Sequence, residues 1–321
     1  MSAGALLVVG EVVTDVVALH EGPLVPDTDT AARIAVRPGG AGANVAAWAA
    51  AAGADARLLA RAGADCAAWH RAALQAAGVR PYLVVDRAAP TAVVISLVDP
   101  AAERTLVTDG GAAVRLGPQD WDDALLDGVA RLHLSGYHLF GEPGRRLAAA
   151  ALAAARAAGV AASADPASAG FLARAGLGAV RGALADVGLL LPNRDEALLL
   201  TGATDPVAAA ELLGERHGEA VVTLGAEGAL VAVRGRPVVE VPGVPAAAVD
   251  STGAGDAFAG GLLAARLSGA DPVEAAAAGC RAGAAAVAVV GARPPGTAGP
   301  GFVPGGAGGD RSVPGGRSAV R

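Results

Sequence analysis

The sequence predicts an α/β fold built on a mostly parallel sheet, and three observations lead to this prediction. Residues Ala5 to Gly10 form a short run rich in Leu and Val and bounded by glycines, which is typical of a buried parallel strand. From about residue 130 onward, similar apolar runs alternate with segments of helical spacing. Two glycine-rich loops, Arg37 to Asn44 and Asp250 to Asp256, each precede a helical pattern. Strands separated by helices of this length join in parallel through right-handed crossovers.

The elements of the alternating half follow from local patterns. Each predicted strand is short and rich in apolar residues, and glycines or prolines bound the predicted helices. Asn193 is a good helix N-cap, and Glu196 stands three residues later, so the pair predicts a capping box; a functional role for the pair is the alternative. Strands are predicted at 130–134, 160–164, 187–191, from 221 into a turn that ends at 228, and at 229–233, and helices at 45–52, 144–158, 173–185, 193–202 and 257–267.

Two segments outside this alternation predict a second, smaller sheet. Residues 17–36 are polar and broken by proline, and residues 82–107 alternate like half-exposed strands. We interpret them as one lid, inserted at about 16–36 and 81–109 into a domain that spans residues 1–293. Residues 294–321 are dominated by Gly and Pro, which predicts a disordered tail.

Composition limits the classes of function. The chain has 321 residues and a formal net charge of −6, without a run of basic residues, so the footprint of a nucleic-acid-binding protein is absent. It contains no lysine, which excludes a Walker A loop and Schiff-base chemistry. We see no basic signal-peptide start and no membrane-spanning run, and Cys66 and Cys280 lack metal-ligand spacing. We therefore expect a cytoplasmic protein that neither spans a membrane nor binds nucleic acid.

The loop from Asp250 to Asp256 carries the clearest chemical signal. Unpaired N–H groups at a helix start form an anion site, and glycines let the backbone approach a ligand closely. A carboxylate beside such a site would repel the anion unless it had a task, such as taking a proton from an attacking hydroxyl. Asp256 is therefore a candidate general base. An ordinary acid at a helix start is the alternative, since short glycine motifs are common by chance.

Two further positions are candidates for substrate contacts. Asp15 follows the first predicted strand, and ligands of open α/β sheets bind beyond the carboxyl ends of strands. Asn44 ends the first glycine-rich loop and offers both a hydrogen-bond donor and an acceptor. A surface acid and a plain helix cap are the respective alternatives.

Four motifs occur together in one order along the chain. They are Gly39-Gly40-x-Gly42-x-Asn44, Asn193-x-x-Glu196, Val222-Thr223-Leu224-Gly225-x-x-Gly228 and Asp250-Ser251-Thr252-Gly253-Ala254-Gly255-Asp256. The set resembles the ribokinase/phosphofructokinase-B family of sugar and nucleoside kinases, and the last motif is the most specific. The resemblance covers roughly residues 6–294. It implies a ribokinase-like three-layer fold with a central, mostly parallel sheet and a small β-sheet lid.

The resemblance also implies roles for individual residues. Asp256 would be the general base, and the N–H groups of Gly253, Ala254 and Gly255 would stabilise the charge that develops during phosphoryl transfer. ATP would be the phosphoryl donor. Asn193 and Glu196 would organise its phosphates and Mg²⁺, the metal being held through water.

The other implied contacts concern the nucleotide, the substrate and a monovalent cation. ATP would lie along the strand and turn of Thr223, Gly225 and Gly228. Asp250 would take part in a K⁺ site, with a plain loop cap as its alternative, and Pro294-Pro295 leaves K⁺ dependence open. The hydroxyls of the sugar would contact Asp15, Gly39, Gly40 and Asn44.

We predict an ATP-dependent, Mg²⁺-requiring kinase that phosphorylates a hydroxyl of a small-molecule sugar, similar to ribose or a sugar acid. A nucleoside kinase of the same fold is the first alternative, but only 3% of residues are aromatic and Tyr82 is the one aromatic in the predicted lid. A non-catalytic relative is disfavoured by the intact Asp256 loop. A Rossmann dehydrogenase is excluded because Glu11-Val12-Val13 follows Gly10. An exposed lid edge could pair two subunits as a homodimer.

Overall fold

The computed structural model describes residues 4–99 and 104–297 of the chain. Within these ranges, a nine-stranded sheet carries helices on both faces, and four other strands form a separate sheet. The predicted α/β class, the mostly parallel main sheet and the small second sheet are confirmed. The predicted tail falls mainly on residues 298–321, which lie outside the described residues. No helix in the described part of the chain is long and apolar enough to cross a membrane.

Glycines and prolines mark many of the element boundaries. The strands are β1 (Ala5–Val9), β2 (Val13–His20), β3 (Ala32–Gly39), β4 (Ala56–Gly63), β5 (Arg80–Asp86), β6 (Ala92–Val98), β7 (Arg104–Asp109), β8 (Val129–Ser135), β9 (Ala161–Asp165), β10 (Leu189–Leu190), β11 (Glu219–Thr223), β12 (Gly228–Val233) and β13 (Val239–Pro242). The helices are α1 (Ala41–Ala51), α2 (Ala67–Ala76), α3 (Glu142–Ala157), α4 (Ala169–Ala175), α5 (Leu177–Ala183), α6 (Arg194–Thr201), α7 (Pro206–His217), α8 (Ala254–Leu267) and α9 (Pro272–Val287).

The strand order of the main sheet creates a crevice beside β1. The order is β13-β12-β11-β10-β9-β8-β1-β4-β5, and every pair from β11 to β5 is parallel. Successive strands after β1 are added first on the β4 side and then on the β8 side. Ligands of such sheets bind where the order reverses, beyond the carboxyl ends of the strands. The residues that follow β1, β8 and β9 therefore meet at one place.

Alternate side chains of β1 enter two different cores. Leu6 and Val8 pack with α1, α8 and α9, whereas Leu7 and Val9 pack on the other face with α3, α4 and α7. Because Leu6 and Leu7 are both fully buried, each contributes roughly 1.5–3 kcal/mol of hydrophobic stabilisation. This two-sided burial fixes the strand that leads directly into the lid.

The second sheet forms the lid, with one correction to the prediction. Its order is β3-β2-β6-β7, with β2 and β6 parallel and the outer pairs antiparallel. The assignment of residues 81–86 to the lid is wrong, because β5 pairs in parallel with β4 at the edge of the main sheet. A half-buried edge strand has the same alternation as a lid strand, so the pattern alone could not separate them. Tyr82 consequently lies in the main sheet.

Two predicted helices have different bounds in the structure. The predicted helix at 173–185 is two short helices, α4 and α5, because Gly176 adopts a φ of 85° between them. The helix after the first glycine-rich loop begins earlier than predicted, because α1 begins at Ala41 instead of Val45. Gly42 and Asn44 are therefore helical residues, and their positions are fixed by the packing of α1.

Gly42 brings the start of α1 against the end of β1. A Cβ atom at Gly42 would lie 2.5 Å from the Cα of Gly10, which is closer than real Cβ contacts allow. The backbone of α1 can approach β1 this closely only because both positions are glycine.

We predict that Gly42→Ala destabilises the protein by about 1–3 kcal/mol, since the added methyl group has no space. Gly178→Ala is the matched control. Gly178 is helical like Gly42, but it is exposed, and a Cβ there would meet nothing within 4 Å. The control should gain about 0.5–1 kcal/mol from the better helix propensity of Ala. Urea denaturation measures both free energies of unfolding. Equal effects of the two substitutions would contradict the close contact of Gly42 with Gly10.

Candidate active site

The N-terminus of α8 lies at the crevice and places Asp256 in the first helical turn. Gly253 is the N-cap and has a φ of 74°, a left-handed conformation that favours glycine. A Cβ atom at Gly253 would lie 2.5 Å from that of Ala292. The loop therefore also passes close to the residues that follow α9, here called the C-terminal segment (residues 288–297). A Cβ at Gly255 would meet no other group within 4 Å. The N–H of Ala254 donates to the carbonyl of Ser251 at 3.3 Å, and the positive end of the α8 dipole lies at this turn.

Asn44 joins α1 to α8 through a side-chain hydrogen bond. Its Nδ2 donates to Oδ2 of Asp256 at 2.8 Å, although the two residues are far apart in sequence. Burial raises the pKa of Asp256 to about 8, the Asn44 hydrogen bond opposes this, and the charges of Asp165 and Glu11 add to the rise. The predicted substrate residue Asn44 is therefore also a direct partner of the predicted base.

Asp15 and Arg293 approach the same place from the lid and from the C-terminal segment. The Asp15 carboxylate lies against Gly39, where a Cβ would be 2.0 Å from Oδ2. Burial raises the pKa of Asp15 to about 7, and the positive charge of Arg293 opposes that rise. Arg293 is 8% exposed, and its Nε and Nη2 donate to Oδ1 of Asn44 and the carbonyl of Gly39, each at 3.4 Å.

One polar atom of this cluster is buried without a hydrogen-bond acceptor in the described part of the chain, Nη1 of Arg293. The Asp15 carboxylate is half-buried and interacts electrostatically with Arg293. Buried polar groups in folded proteins almost always have partners, so unsatisfied ones need an explanation. Asp15 offers acceptors and Arg293 offers donors. Sequence reasoning missed Arg293, which is the last residue before the predicted tail and lies outside the four motifs.

Two further acids in the crevice were not predicted as site residues. Glu11, 6% exposed, follows β1 and accepts hydrogen bonds from Oγ of Ser135 at 3.0 Å and from the N–H of Gly42 at 3.2 Å. Asp165 ends β9, and its carboxylate accepts the N–H of Ala167 at 2.6 Å. Burial raises the pKa of Asp165 to about 6. The signal that could have found both is their position just after predicted strands, as with Asp15.

The start of α6 confirms the predicted capping box. Oδ1 of Asn193 accepts the N–H of Glu196 at 2.9 Å, and Oε2 of Glu196 accepts the N–H of Asn193 at 2.9 Å. Nδ2 of Asn193 also donates to Oε1 of Glu196 at 2.7 Å. Glu196 is 2% exposed, and burial, followed by the charge of Asp165, raises its pKa to about 8. Both Glu196 oxygens therefore already accept one hydrogen bond each.

The predicted nucleotide turn lies directly beside this helix start. Thr223 ends β11 and forms a parallel bridge with Asn193, while its N–H donates to the carbonyl of Pro192 at 3.0 Å. Gly225 and Gly228 both have positive φ, and a Cβ at Gly225 would meet nothing within 4 Å. The structure thus brings the Asn193 and Thr223 motifs together along one open turn.

Asp250 connects the loop before α8 to the C-terminal segment. Its Oδ2 accepts the N–H of Gly291 at 2.9 Å, and its Oδ1 accepts the N–H and the hydroxyl of Thr252 at 2.9 and 2.6 Å. Nη1 of Arg37, on β3, donates to the carbonyl of Val290 at 2.7 Å. These bonds give Asp250 the loop-capping role that was the alternative to a K⁺ site.

Three aromatic residues, none of them in the predicted lid, form a cluster beside the crevice. Tyr137 and Phe140 follow β8, and Phe171 lies in α4. Phe140 and Phe171 stack with ring centroids 5.1 Å apart, and Tyr137 packs edge-on against both at 5.9 and 5.8 Å. Burial and the charges of Glu11, Asp256 and Asp165 raise the pKa of Tyr137, which places its ring near the acids.

Among the described residues, no three His, Cys, Asp or Glu side chains come together as a direct metal cage. The carboxylates of Glu196 and Asp165 nevertheless lie near one another, as the effect of Asp165 on the Glu196 pKa indicates. Mg²⁺ typically keeps several waters and takes one or two carboxylates together with substrate phosphates. The residues present fit an ion held in that way.

The chain is similar to known kinases over most of its length. Residues 4–298 match the model of the family described as pfkB family carbohydrate kinase. A fructokinase from Klebsiella pneumoniae is 32% identical over 274 residues, covering 81% of this chain and 84% of the relative. The structure of adenosine kinase from Sinorhizobium meliloti has a TM-score of 0.79 at 27% identity and covers 91% of this chain and 96% of that one. A protein designated ribokinase II from E. coli, solved with ATP and Mg²⁺, has a TM-score of 0.79 at 25% identity, covering 90% and 94%.

We predict that Asp256 makes the unliganded protein less stable as the pH rises from 6 to 9. Its pKa is raised from 3.8 to about 8 on folding. Between these values the folded protein holds a proton that the unfolded chain has released, so a rise in pH favours unfolding. Asp256→Asn should show a shallower fall in the free energy of unfolding, measured by urea denaturation at each pH. Glu211→Gln, at an exposed position of α7, is the control; an equal slope in wild type and Asp256→Asn would contradict the prediction.

Proposed function

The chain belongs to the pfkB family of carbohydrate kinases and is an ATP-dependent sugar or nucleoside kinase, and we propose that it phosphorylates a hydroxyl of a sugar or sugar derivative. The substrate would resemble ribose or a sugar acid. Residues 1–293 would form the kinase domain, and an ATP-consuming enzyme of this kind would work in the cytoplasm.

The observation that carries the proposal is the position of Asp256 at the start of α8. The helix-start amides of Gly253, Ala254 and Gly255 would stabilise the charge on the transferred γ-phosphate. The Asp256 carboxylate, in the same helical turn, would take the proton of the acceptor hydroxyl. A base whose pKa lies near 8 is well matched to proton transfer at neutral pH.

The half-buried Asp15 carboxylate and the unsatisfied Nη1 of Arg293 support a polyhydroxylated substrate. A sugar hydroxyl both donates and accepts, so neighbouring hydroxyls could donate to Asp15 and accept from Nη1 of Arg293. The backbone of Gly39 and Gly40 and the amide of Asn44 would complete the contacts. The lid, which carries Asp15, would cover the substrate and exclude water.

The turn beside α6 supports the proposed nucleotide site. ATP would lie along Thr223, Gly225 and Gly228, and it could approach the backbone at Gly225, which has a positive φ and open space beside it. Mg²⁺, when bound, would neutralise negative charge on the phosphates. Glu196, which Asn193 orients through bonds to both carboxylate oxygens, would hold it through water. K⁺, if the enzyme uses it, would bind beside the loop that Asp250 connects to Gly291.

A nucleoside kinase is the second candidate, and the aromatic cluster favours it. Tyr137, Phe140 and Phe171 could stack on a base, and the similar structure from Sinorhizobium meliloti is described as an adenosine kinase. A panel of pentoses, hexoses, sugar acids and nucleosides with ATP and Mg²⁺ separates the two. Phosphorylation of nucleosides alone would overturn the sugar proposal.

We also propose that the enzyme is a homodimer that pairs through the lid. Side chains alternate across the sheet, and the strand register aligns Val36, Val16, Ile95 and Val107 in one row on the face opposite Asp15. Ile95 and Val107 are 37% and 54% exposed. An apolar sheet face of this kind marks an interface, and a row without charge suits a two-fold contact with a second copy.

We predict that Asp256→Asn lowers kcat by at least about 10²-fold, the usual scale for a lost general base. ATP affinity, measured by isothermal titration calorimetry, should change little because the turn at Gly225 is untouched. Glu211→Gln is the control for a lost carboxylate elsewhere on the surface. Turnover of Asp256→Asn at the wild-type rate would rule out the base assignment.

Val107→Glu should convert the protein to a monomer, because it places a charge in the apolar row. Leu106→Glu is the matched control, since Leu106 is adjacent, 60% exposed and on the opposite face. Light scattering coupled to size-exclusion chromatography gives the mass of each variant. A wild-type monomer, or a dimer that both substitutions disrupt equally, would contradict pairing through this face.

A further inference from the structure

Arg293 is held rigidly at the back of the proposed site. The preceding residue, Ala292, accepts a hydrogen bond from Nε1 of Trp48 at 3.0 Å and packs against Gly253. One residue earlier, the N–H of Gly291 donates to Asp250 at 2.9 Å. The backbone that carries Arg293 is therefore anchored to α1 and to the loop before α8, the two elements that Asn44 and Asp256 occupy or adjoin.

The hydrogen bonds around Asn44 allow only one orientation of its amide. A guanidinium group has donors and no acceptor, and an ionised carboxylate has acceptors and no donor. Oδ1 of Asn44 faces Nε of Arg293, so Nδ2 must face Asp256. If the amide turned over, Nδ2 would point at the Arg293 cation, whether or not Asp256 holds its proton. Arg293 thus determines which end of Asn44 reaches the carboxylate.

We propose that Arg293 is a positioning residue that orients Asn44 and, through it, keeps the proton affinity of Asp256 within the working range of the enzyme. This inference rests on the proposed function of Asp256 and goes beyond the substrate contact suggested above for Arg293. It assigns a role in the reaction to a residue outside the four sequence motifs.

The charges around Asp256 explain why the orientation of Asn44 matters for the protonation of Asp256. Asp165 at the end of β9, Glu11 after β1 and Asp15 on β2 all disfavour the ionised form, as does burial. The Asn44 hydrogen bond opposes them. The negative charge of Asp256 in turn contributes to the raised pKa of Tyr137, which follows β8. Burial lowers the pKa of Arg293 to about 10, which still leaves the guanidinium charged at neutral pH.

The test is the pH dependence of kcat at saturating sugar and ATP. Arg293→Met removes all the donors, so the acidic limb of the profile should move to higher pH, with roughly a tenfold loss of kcat at pH 7 for each unit of displacement. Raising the pH to 9 should recover most of the loss. Arg293→Lys, which keeps a charged donor, should restore part of the displacement. Arg37→Gln removes another arginine that binds this segment but does not contact Asn44, and its limb should stay at the wild-type pH.

A double substitution separates this role from a merely structural one. In the Asp256→Asn background, Arg293→Met should cause little further loss of kcat, because the group on which it acts is gone. Thermal denaturation verifies that each variant is folded. An acidic limb that stays in place in Arg293→Met, or losses that multiply fully in the double variant, would overturn the inference. If Asp256→Asn itself retained full turnover, the proposed function would fail first, and the two failures are therefore distinguishable.

Discussion

The hydrogen bond from Asn44 to Asp256 is the interaction on which the rest of the site depends. It joins the first helix of the chain to the last glycine-rich loop across 212 positions of sequence, at 2.8 Å. Both partners lie in the first turns of helices that follow glycine-rich loops. The close contact of Gly10 with Gly42 fixes the position of the start of α1. The bond can form only if β1, α1 and α8 all pack as they do. The packing of the core on one face of the sheet therefore also determines the geometry of the site at the edge of the sheet.

The parallel sheet explains why so many acids meet at one edge. Glu11 follows β1 and Asp165 ends β9, and the reversal of strand order beside β1 brings them toward Asp256, while Asp15 approaches from β2 of the lid. Burial makes the ionised forms of Asp15, Asp165 and Asp256 costly, which is typical of functional sites. The positive end of the α8 dipole and the guanidinium of Arg293 lie beside these acids and partly offset their negative charge.

Much of this could be predicted from the sequence because the signals were local. The strand periodicity, the capping box of Asn193 and Glu196, and the glycine-rich helix starts all depend on neighbouring residues, and the structure has them. The resemblance to a kinase family rested on the same short motifs, and the family match agrees with it. Asp256, Asn44 and Asp15 were each singled out, but the hydrogen bond between Asn44 and Asp256 and the electrostatic effect of Asp15 on Asp256 depend on tertiary packing, which spacing does not contain.

The remainder depended on long-range packing. Strand β5 has the alternation of a lid strand, and only its pairing with β4 reveals its place in the main sheet. Arg293 lies outside every motif, directly before the tail whose composition predicts disorder, and anchors at Ala292 and Gly291 bring it into the site. The aromatic residues Tyr137 and Phe171 cluster because β8 and β9 are neighbours, which no local pattern could show.

A crystal structure with the sugar substrate and a non-hydrolysable ATP analogue would show where the phosphoryl donor and the acceptor hydroxyl bind. We expect the terminal phosphate at the helix-start amides of α8 and the acceptor hydroxyl within about 3.2 Å of an Asp256 carboxylate oxygen. A terminal phosphate bound away from α8, or an Asp256 carboxylate that contacts only protein groups while the hydroxyl lies elsewhere, would contradict this expectation.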